Sequence, residues 1–88
     1  MKFYHVYVLQ SLKADWIYIG STGDLRKRFK SHNNGENLST KAYAPFKLIF
    51  YEAYKNKKDA LRREEYFKTT KGKTTLRTML KEYFQTKK

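Results

Sequence analysis

Polar residues on apolar faces are the informative ones in this sequence. Leu25, Arg28, Phe29 and His32 follow one another at helical spacing, so an arginine and a histidine share a stripe that should turn inward. Arg26, Lys27 and Lys30 fall elsewhere on the same turn, as solvated charges do. Further on, Ala60, Leu61, Phe67 and Lys68 surround Glu64 on a second inward stripe, with Glu65 nearer its edge. A carboxylate so placed needs a cation, either a basic side chain or a metal, and an inward arginine needs an anion. Tyr7 and Tyr18 lie in two strand-like runs. Two phenols, a guanidinium, an imidazole and a carboxylate on inward faces make a set that phosphodiester hydrolysis uses. A base activates water, a cation neutralises developing phosphate charge, and a metal held by one carboxylate polarises the phosphate. Taken singly, a snorkelling arginine, a satisfied histidine or a structural ion pair explains each residue as well.

These side chains need elements to position them. Residues 3–9 are aromatic and β-branched throughout and read as a strand buried on both faces, and 16–20 read the same way. A four-residue loop from Ser11 to Ala14 would pair Gln10 with Asp15, Leu9 with Trp16, Val8 with Ile17 and Tyr7 with Tyr18. The two tyrosines would then face each other with Cβ atoms about 5 Å apart. Ser21-Thr22-Gly23-Asp24 offers a turn and an N-cap for a helix over 25–32, stopped by Asn33-Asn34-Gly35. A loop over 36–45 leads to a third strand over 46–54. Asn56 caps a helix over about 57–70 that ends near Gly72, with Asp59 completing a capping box. Leu76, Met79, Leu80, Tyr83 and Phe84 form one apolar stripe on a basic, amphipathic last helix over about 75–85. The expectation is an α+β fold in which a small central three-stranded antiparallel sheet is flanked by helices in the order β-β-α-β-α-α.

The chain of 88 residues carries 20 Lys+Arg against 8 Asp+Glu, a formal charge of +12. That length suits a single domain over 1–88, with its core at about 3–70. The absence of cysteine excludes a disulfide scaffold, a thiolate zinc site and a cysteine nucleophile. No apolar run approaches a membrane span, and Met1 to His5 run straight into a strand pattern without a signal segment. The reading is therefore of a chain complete as written, with no membrane partner, placed in the cytoplasm or on the nucleoid. A content of 17% aromatic residues excludes a disordered polycation. A folded, strongly basic surface attracts a polyanion, with nucleic acid first and an acidic membrane or protein as alternatives. Residues 1–54 hold a net +4 and residues 55–88 a net +8, so the second part is the more electropositive. Lys57, Lys58, Arg62, Arg63, Lys68, Lys71, Lys73 and Arg77 are candidates for phosphate contacts. Ser21, Tyr43 and the loop Ser39-Thr40-Lys41 are candidates for touching substrate.

Five segments together carry a resemblance. His5-Val6-Tyr7, Tyr18-Ile19-Gly20, Asp24-Leu25-Arg26-Lys27-Arg28, His32 and Ala60-Leu61-Arg62-Arg63-Glu64 stand in the order and spacing of the GIY-YIG nuclease domain. The chain resembles the smallest form of that family and looks like the incision domain of the excinuclease C subunit. Three departures stand out. His5 replaces the first glycine, Ser21 stands where some relatives carry a lysine, and no asparagine follows Asn56. The resemblance implies a metal-dependent DNA endonuclease using one Mg²⁺ or Mn²⁺, structure-selective, with weak sequence specificity, in DNA repair or recombination. It implies Tyr7 as general base with Tyr18 hydrogen-bonded nearby, or the two exchanged. Arg28 would stabilise the scissile phosphate, His32 would position Tyr7 or shuttle a proton, and Glu64 would hold the metal. Nearby positive charge would favour the Tyr7 phenolate. The partner would be duplex, branched or single-stranded DNA, with a separate targeting protein. Against this stand a non-catalytic DNA-binding module of the same fold and an RNA-associated basic protein.

Overall fold

The computed structural model describes residues 2–86. Strand β1 spans Tyr4–Ser11, β2 Ile17–Thr22 and β3 Phe46–Tyr54. Helix α1 spans Leu25–Asn33, α2 Lys57–Lys68, α3 Thr70–Met79 and α4 Lys81–Thr86, and a short 3₁₀ turn covers Lys41–Tyr43. All strand pairs are antiparallel in the order β2-β1-β3, the expected three-stranded sheet with flanking helices. No helix of the described residues is long and apolar enough to cross a membrane.

The central strand β1 is buried on both faces from Val6 onward, as its continuous apolar run demands. Side chains alternate across it. Val6 and Val8 turn towards α2 and α3 and pack with Ile19, Ala60, Phe67 and Leu76. Tyr7 and Leu9 turn towards α1 and pack with Phe46, Leu25, Phe29, Trp16 and Tyr18. Strand β2, expected to be buried on both faces, is an edge strand whose only buried residues are Ile19 and Gly20. It has only one neighbour, so apolar composition overstated its burial.

Both predicted N-caps form. Asp24 accepts from Lys27 N at 3.1 Å and Asn56 from Lys58 N at 2.9 Å. The Asp59 carboxylate pairs with Arg62 at 3.1 Å instead of closing a capping box. Gly72 does not end α2. Thr69 does, and its hydroxyl accepts from Gly72 N as the N-cap of α3. Gly72 lies inside α3, where a Cβ would overlap Tyr66 O, so glycine lets the two helices turn tightly. The single last helix expected over 75–85 is broken at Leu80 into α3 and α4, and Met79 of its stripe is 43% exposed.

Candidate active site

Tyr7 and Tyr18 reach the α1 face of the sheet by a register two residues away from the expected one. Gln10 pairs with Ile17, Leu9 with Tyr18 and Tyr7 with Gly20. The connection is longer than four residues because Ser11 extends β1. Its hydroxyl donates to Tyr43 O at 2.6 Å and accepts from Lys13 N and Ala14 N, which ties the loop to the 3₁₀ turn. A shift of two keeps side chains on the same faces. The two phenols are thus diagonal neighbours, with ring centroids 6.2 Å apart. Tyr7 pairs with a residue that has no side chain, and its hydroxyl fills that space. A Cβ on Gly20 would lie 2.6 Å from Tyr7 Oη and 2.9 Å from the Tyr18 ring. Glycine inside a strand signals such a close approach.

The partner of the Tyr7 hydroxyl is His32, not Tyr18. Tyr7 Oη lies 2.9 Å from His32 Nε2, and His32 Nδ1 lies 2.8 Å from Thr40 Oγ1. Tyr7 is 1% exposed and His32 and Thr40 are fully buried. Helical spacing from Leu25 and Phe29 puts His32 on the inward side of α1, and the loop after α1 returns to cover it. Burial is the main cause of a Tyr7 pKa raised well above the ordinary phenol value. Tyr18 and Glu64 add to the rise, and Arg28 opposes it. The expected bias towards a free phenolate is therefore reversed, because desolvation outweighs the nearby cation. Burial, with Arg28 assisting, lowers the His32 pKa, which keeps the imidazole neutral near pH 7. Thr40, expected in a substrate-touching loop, is instead the inner neighbour of His32. No local pattern signals that pairing.

Arg28, expected on an inward stripe, is exposed. The nine residues of α1 centre their apolar stripe on Leu25, Phe29 and His32, which leaves Arg28 at its margin. No hydrogen bond or ion pair of the described residues engages it. It borders a cleft of about 380 Å³ with Lys2, Ser21, Thr22 and Lys57. Glu64 is half-buried at the β2 edge, where α2 passes the strand. Leu61 and Lys68, expected beside it on the inward face, are exposed. Both Glu64 oxygens have partners. Ser21 Oγ donates to Oε1 at 2.5 Å, and Lys68 Nζ lies 2.7 Å from Oε2. The cation that the carboxylate needed is therefore a basic side chain one turn away.

No cluster of three or more His, Cys, Asp or Glu suited to a metal exists among the described residues. The donor set is the Glu64 carboxylate and the Ser21 hydroxyl bonded to it, and Ser21 lines the basic cleft. Such hard oxygens fit magnesium or manganese, which keep waters and substrate phosphate as further ligands, and do not fit a closed zinc site.

The remaining predicted residues divide by location. Lys57 shares the cleft with Arg28. Lys73 and Arg77 border a groove with Trp16, Ile17 and Asp15 at the far end of β2. Lys41, Lys58 and Lys71 are exposed. Tyr43 stacks on Trp16 at 4.0 Å between centroids. Arg62 pairs with Asp59, and Arg63 makes two bonds to Glu52 and lies 4.3 Å over the Phe67 ring. His5, in the position of the motif's first glycine, packs edge-on against Tyr51.

Comparison with known proteins adds a family to this geometry. The GIY-YIG catalytic domain matches residues 3–78, further along the chain than the expected core. The UPF0213 protein CPE1444 of Clostridium perfringens is 42% identical over 65 residues, which are 73% of this chain and 69% of that protein. The UPF0213 protein YazA of Bacillus subtilis is 43% identical over 63 residues, 70% of this chain and 63% of its own length. The solution structure of the UPF0213 protein BH0048 from Bacillus halodurans superposes with a TM-score of 0.54 at 30% identity. That match covers 90% of this chain and 85% of the other. On sequence and on fold alike, this chain belongs to the GIY-YIG family, among its UPF0213 proteins.

Proposed function

We propose that the chain is a divalent-metal-dependent DNA endonuclease. The observation that carries this reading is the Tyr7–His32 hydrogen bond at 2.9 Å, with the cleft-lining Arg28, free of any ion pair among the described residues, close enough for its charge to act on both groups. A phenol held protonated by burial is a poor free base. It serves as a base once its own proton has a receiver, and neutral His32 Nε2 is that receiver. The attacking water gives a proton to Tyr7 Oη as Tyr7 passes its own to His32. The hydroxide so formed attacks phosphorus, one ester P–O bond breaks, and the leaving alkoxide takes a proton from solvent. Tyr18, half-buried beside Tyr7, orients the water. Arg28 binds the scissile phosphate and stabilises the charge that builds on it.

Glu64 is the residue that would hold Mg²⁺ or Mn²⁺, and Ser21 would orient its carboxylate. Such an ion, when bound, polarises a phosphoryl oxygen and stabilises the leaving oxygen. The Lys68 pair is no lock on Glu64. The lysine side chain is 52% exposed and the Glu64 side chain 17%, so water reaches the lysine end of the pair and another cation can compete with it there. The cations and hydroxyls around the cleft can read phosphates and shape rather than base edges, which supports structure selectivity with weak sequence specificity. The place in DNA repair or recombination rests on the resemblance to the excinuclease C incision domain.

The test is a nicking assay with Mg²⁺ or Mn²⁺ on branched, single-stranded and duplex DNA. Arg28→Ala and Glu64→Gln should each lower cleavage about 10²–10³-fold and leave binding in place. Near-wild-type cleavage by either variant would overturn the assignment. One observation favours a second reading, a non-catalytic binding module: both Glu64 oxygens are already satisfied within the chain. On that reading no substrate is cut, and Glu64→Gln changes neither binding nor its metal dependence.

A further inference from the structure

The hydrogen-bond chain behind Tyr7 has a direction, and counting protons reveals it. In the substrate-free chain Tyr7, His32 and Thr40 are each 1% exposed or less, so every polar proton among them needs a protein acceptor until substrate and its water reach Tyr7 Oη. Among the described residues Tyr7 Oη has one hydrogen-bond partner, His32 Nε2 at 2.9 Å. The partner of His32 Nδ1 is Thr40 Oγ1 at 2.8 Å. Thr40 Oγ1 has a second neighbour, the Asn37 carbonyl oxygen at 3.4 Å, which can only accept. A neutral imidazole carries one N–H and offers one lone pair.

With the proton on Nδ1, every donor is satisfied. Tyr7 donates to Nε2, Nδ1–H donates to Thr40, and Thr40 donates to Asn37. With the proton on Nε2, the imidazole donates to the Tyr7 oxygen and Thr40 turns its hydroxyl to Nδ1. The Tyr7 proton is then buried with no acceptor, which is the costly case.

We infer that Thr40 is a positioning residue: its hydroxyl oxygen holds neutral His32 in the Nδ1–H tautomer and so directs the Nε2 lone pair at Tyr7. Thr40 acts through His32 from a buried position. Given the nuclease reading, on which this consequence rests, Tyr7 delivers its proton to Nε2 while Nδ1–H stays bonded to Thr40, which steadies the imidazolium that forms. The loop after α1 thus contributes to the site through an internal hydroxyl.

Long-range ¹H–¹⁵N correlation spectra of the full chain above neutral pH read the tautomer directly. The histidines are His5 and His32, and His5→Gln assigns them. His32 should show a protonated Nδ1 and a bare Nε2, and a wild-type Nε2–H tautomer overturns the inference without any variant. Thr40→Val should raise the Nε2–H fraction and slow cleavage about tenfold or more, the scale on which losing the partner that orients a metal-bound histidine acts. Thr40→Ser should restore both. A Thr40→Val protein that keeps the Nδ1–H tautomer and full cleavage overturns the inference, as does failure of serine to rescue. If Thr40→Val does not fold, the wild-type and Thr40→Ser spectra still decide. A wild-type chain that cuts no DNA refutes the nuclease reading instead, and the tautomer still decides the role of Thr40.

Discussion

Gly20 shows how one residue can govern the site without taking part in its chemistry. An added methyl would meet Tyr7 Oη at 2.6 Å and Tyr7 Cζ at 2.8 Å, so the ring must move off His32. Gly20→Ala should cost about 1–3 kcal/mol, as overpacking does, and should break the Tyr7–His32 bond. Urea unfolding measures the first and the Tyr7 hydroxyl resonance the second. His32 adds a pH signature. An unfolded histidine titrates near 6.5, and the folded value is lower because His32 is buried and faces Arg28. Below about pH 6.5 the unfolded chain takes up a proton that the folded chain refuses. Stability should therefore fall as pH drops from about 6.5 towards the folded value, and stay level above it as far as this group is concerned. His32→Gln should flatten that slope in urea midpoints taken across the range. An unchanged slope would mean that His32 is not the buried group responsible.

At the scale of elements, the site depends on where α1 and α2 meet the edge strand. Helix α1 covers one face of the sheet with Leu25, Phe29 and His32, and α2 covers the other with Ala60 and Phe67. Tyr7 lies on the α1 face and Glu64 comes from α2 on the other, bonded to Ser21 of the edge strand β2, and the Glu64 charge is felt at Tyr7. Ser21 spans that edge with its 2.5 Å bond to Glu64. The angle of α2 is set partly by its junction with α3, where Gly72 packs on the backbone of Tyr66. Helix propensity alone predicts that Gly72→Ala stabilises α3 by about 1 kcal/mol. The backbone overlap predicts the opposite sign, a loss of several kcal/mol of the size seen for severe core clashes. Thermal melting of Gly72→Ala distinguishes them, and a raised melting temperature would refute the packing role.

For the whole molecule, the +12 charge is not uniformly available to a polyanion. Arg62, Arg63 and Lys68 are engaged by Asp59, Glu52 and Glu64, whereas Lys2, Arg28 and Lys57 line the cleft. Binding to duplex DNA should weaken steeply with salt. Lys57→Gln should lower the log–log slope by about 0.9, the value for one phosphate contact. Arg63→Gln should leave the slope unchanged, because its guanidinium is already committed. A reduced slope for Arg63→Gln would show that the Glu52 pair opens on binding.

The sequence alone determined what periodicity and local chemistry encode. Alternating and continuous apolar runs specified three strands, Asp24 and Asn56 marked the helix starts, and the loosely spaced motifs specified the family. The candidate residues Tyr7, Tyr18, His32 and Glu64 were legible for the same reason: a polar side chain on an apolar stripe is visible in one dimension. Tertiary structure decided what depends on distance between elements. It set the β1–β2 register through the Ser11 loop, turned Arg28 outward into the cleft, gave Lys68 and Ser21 to Glu64, and brought Thr40 onto His32. It also decided the direction of the Tyr7 pKa, because desolvation depends on what surrounds the ring in space, whereas composition records only that cations exist.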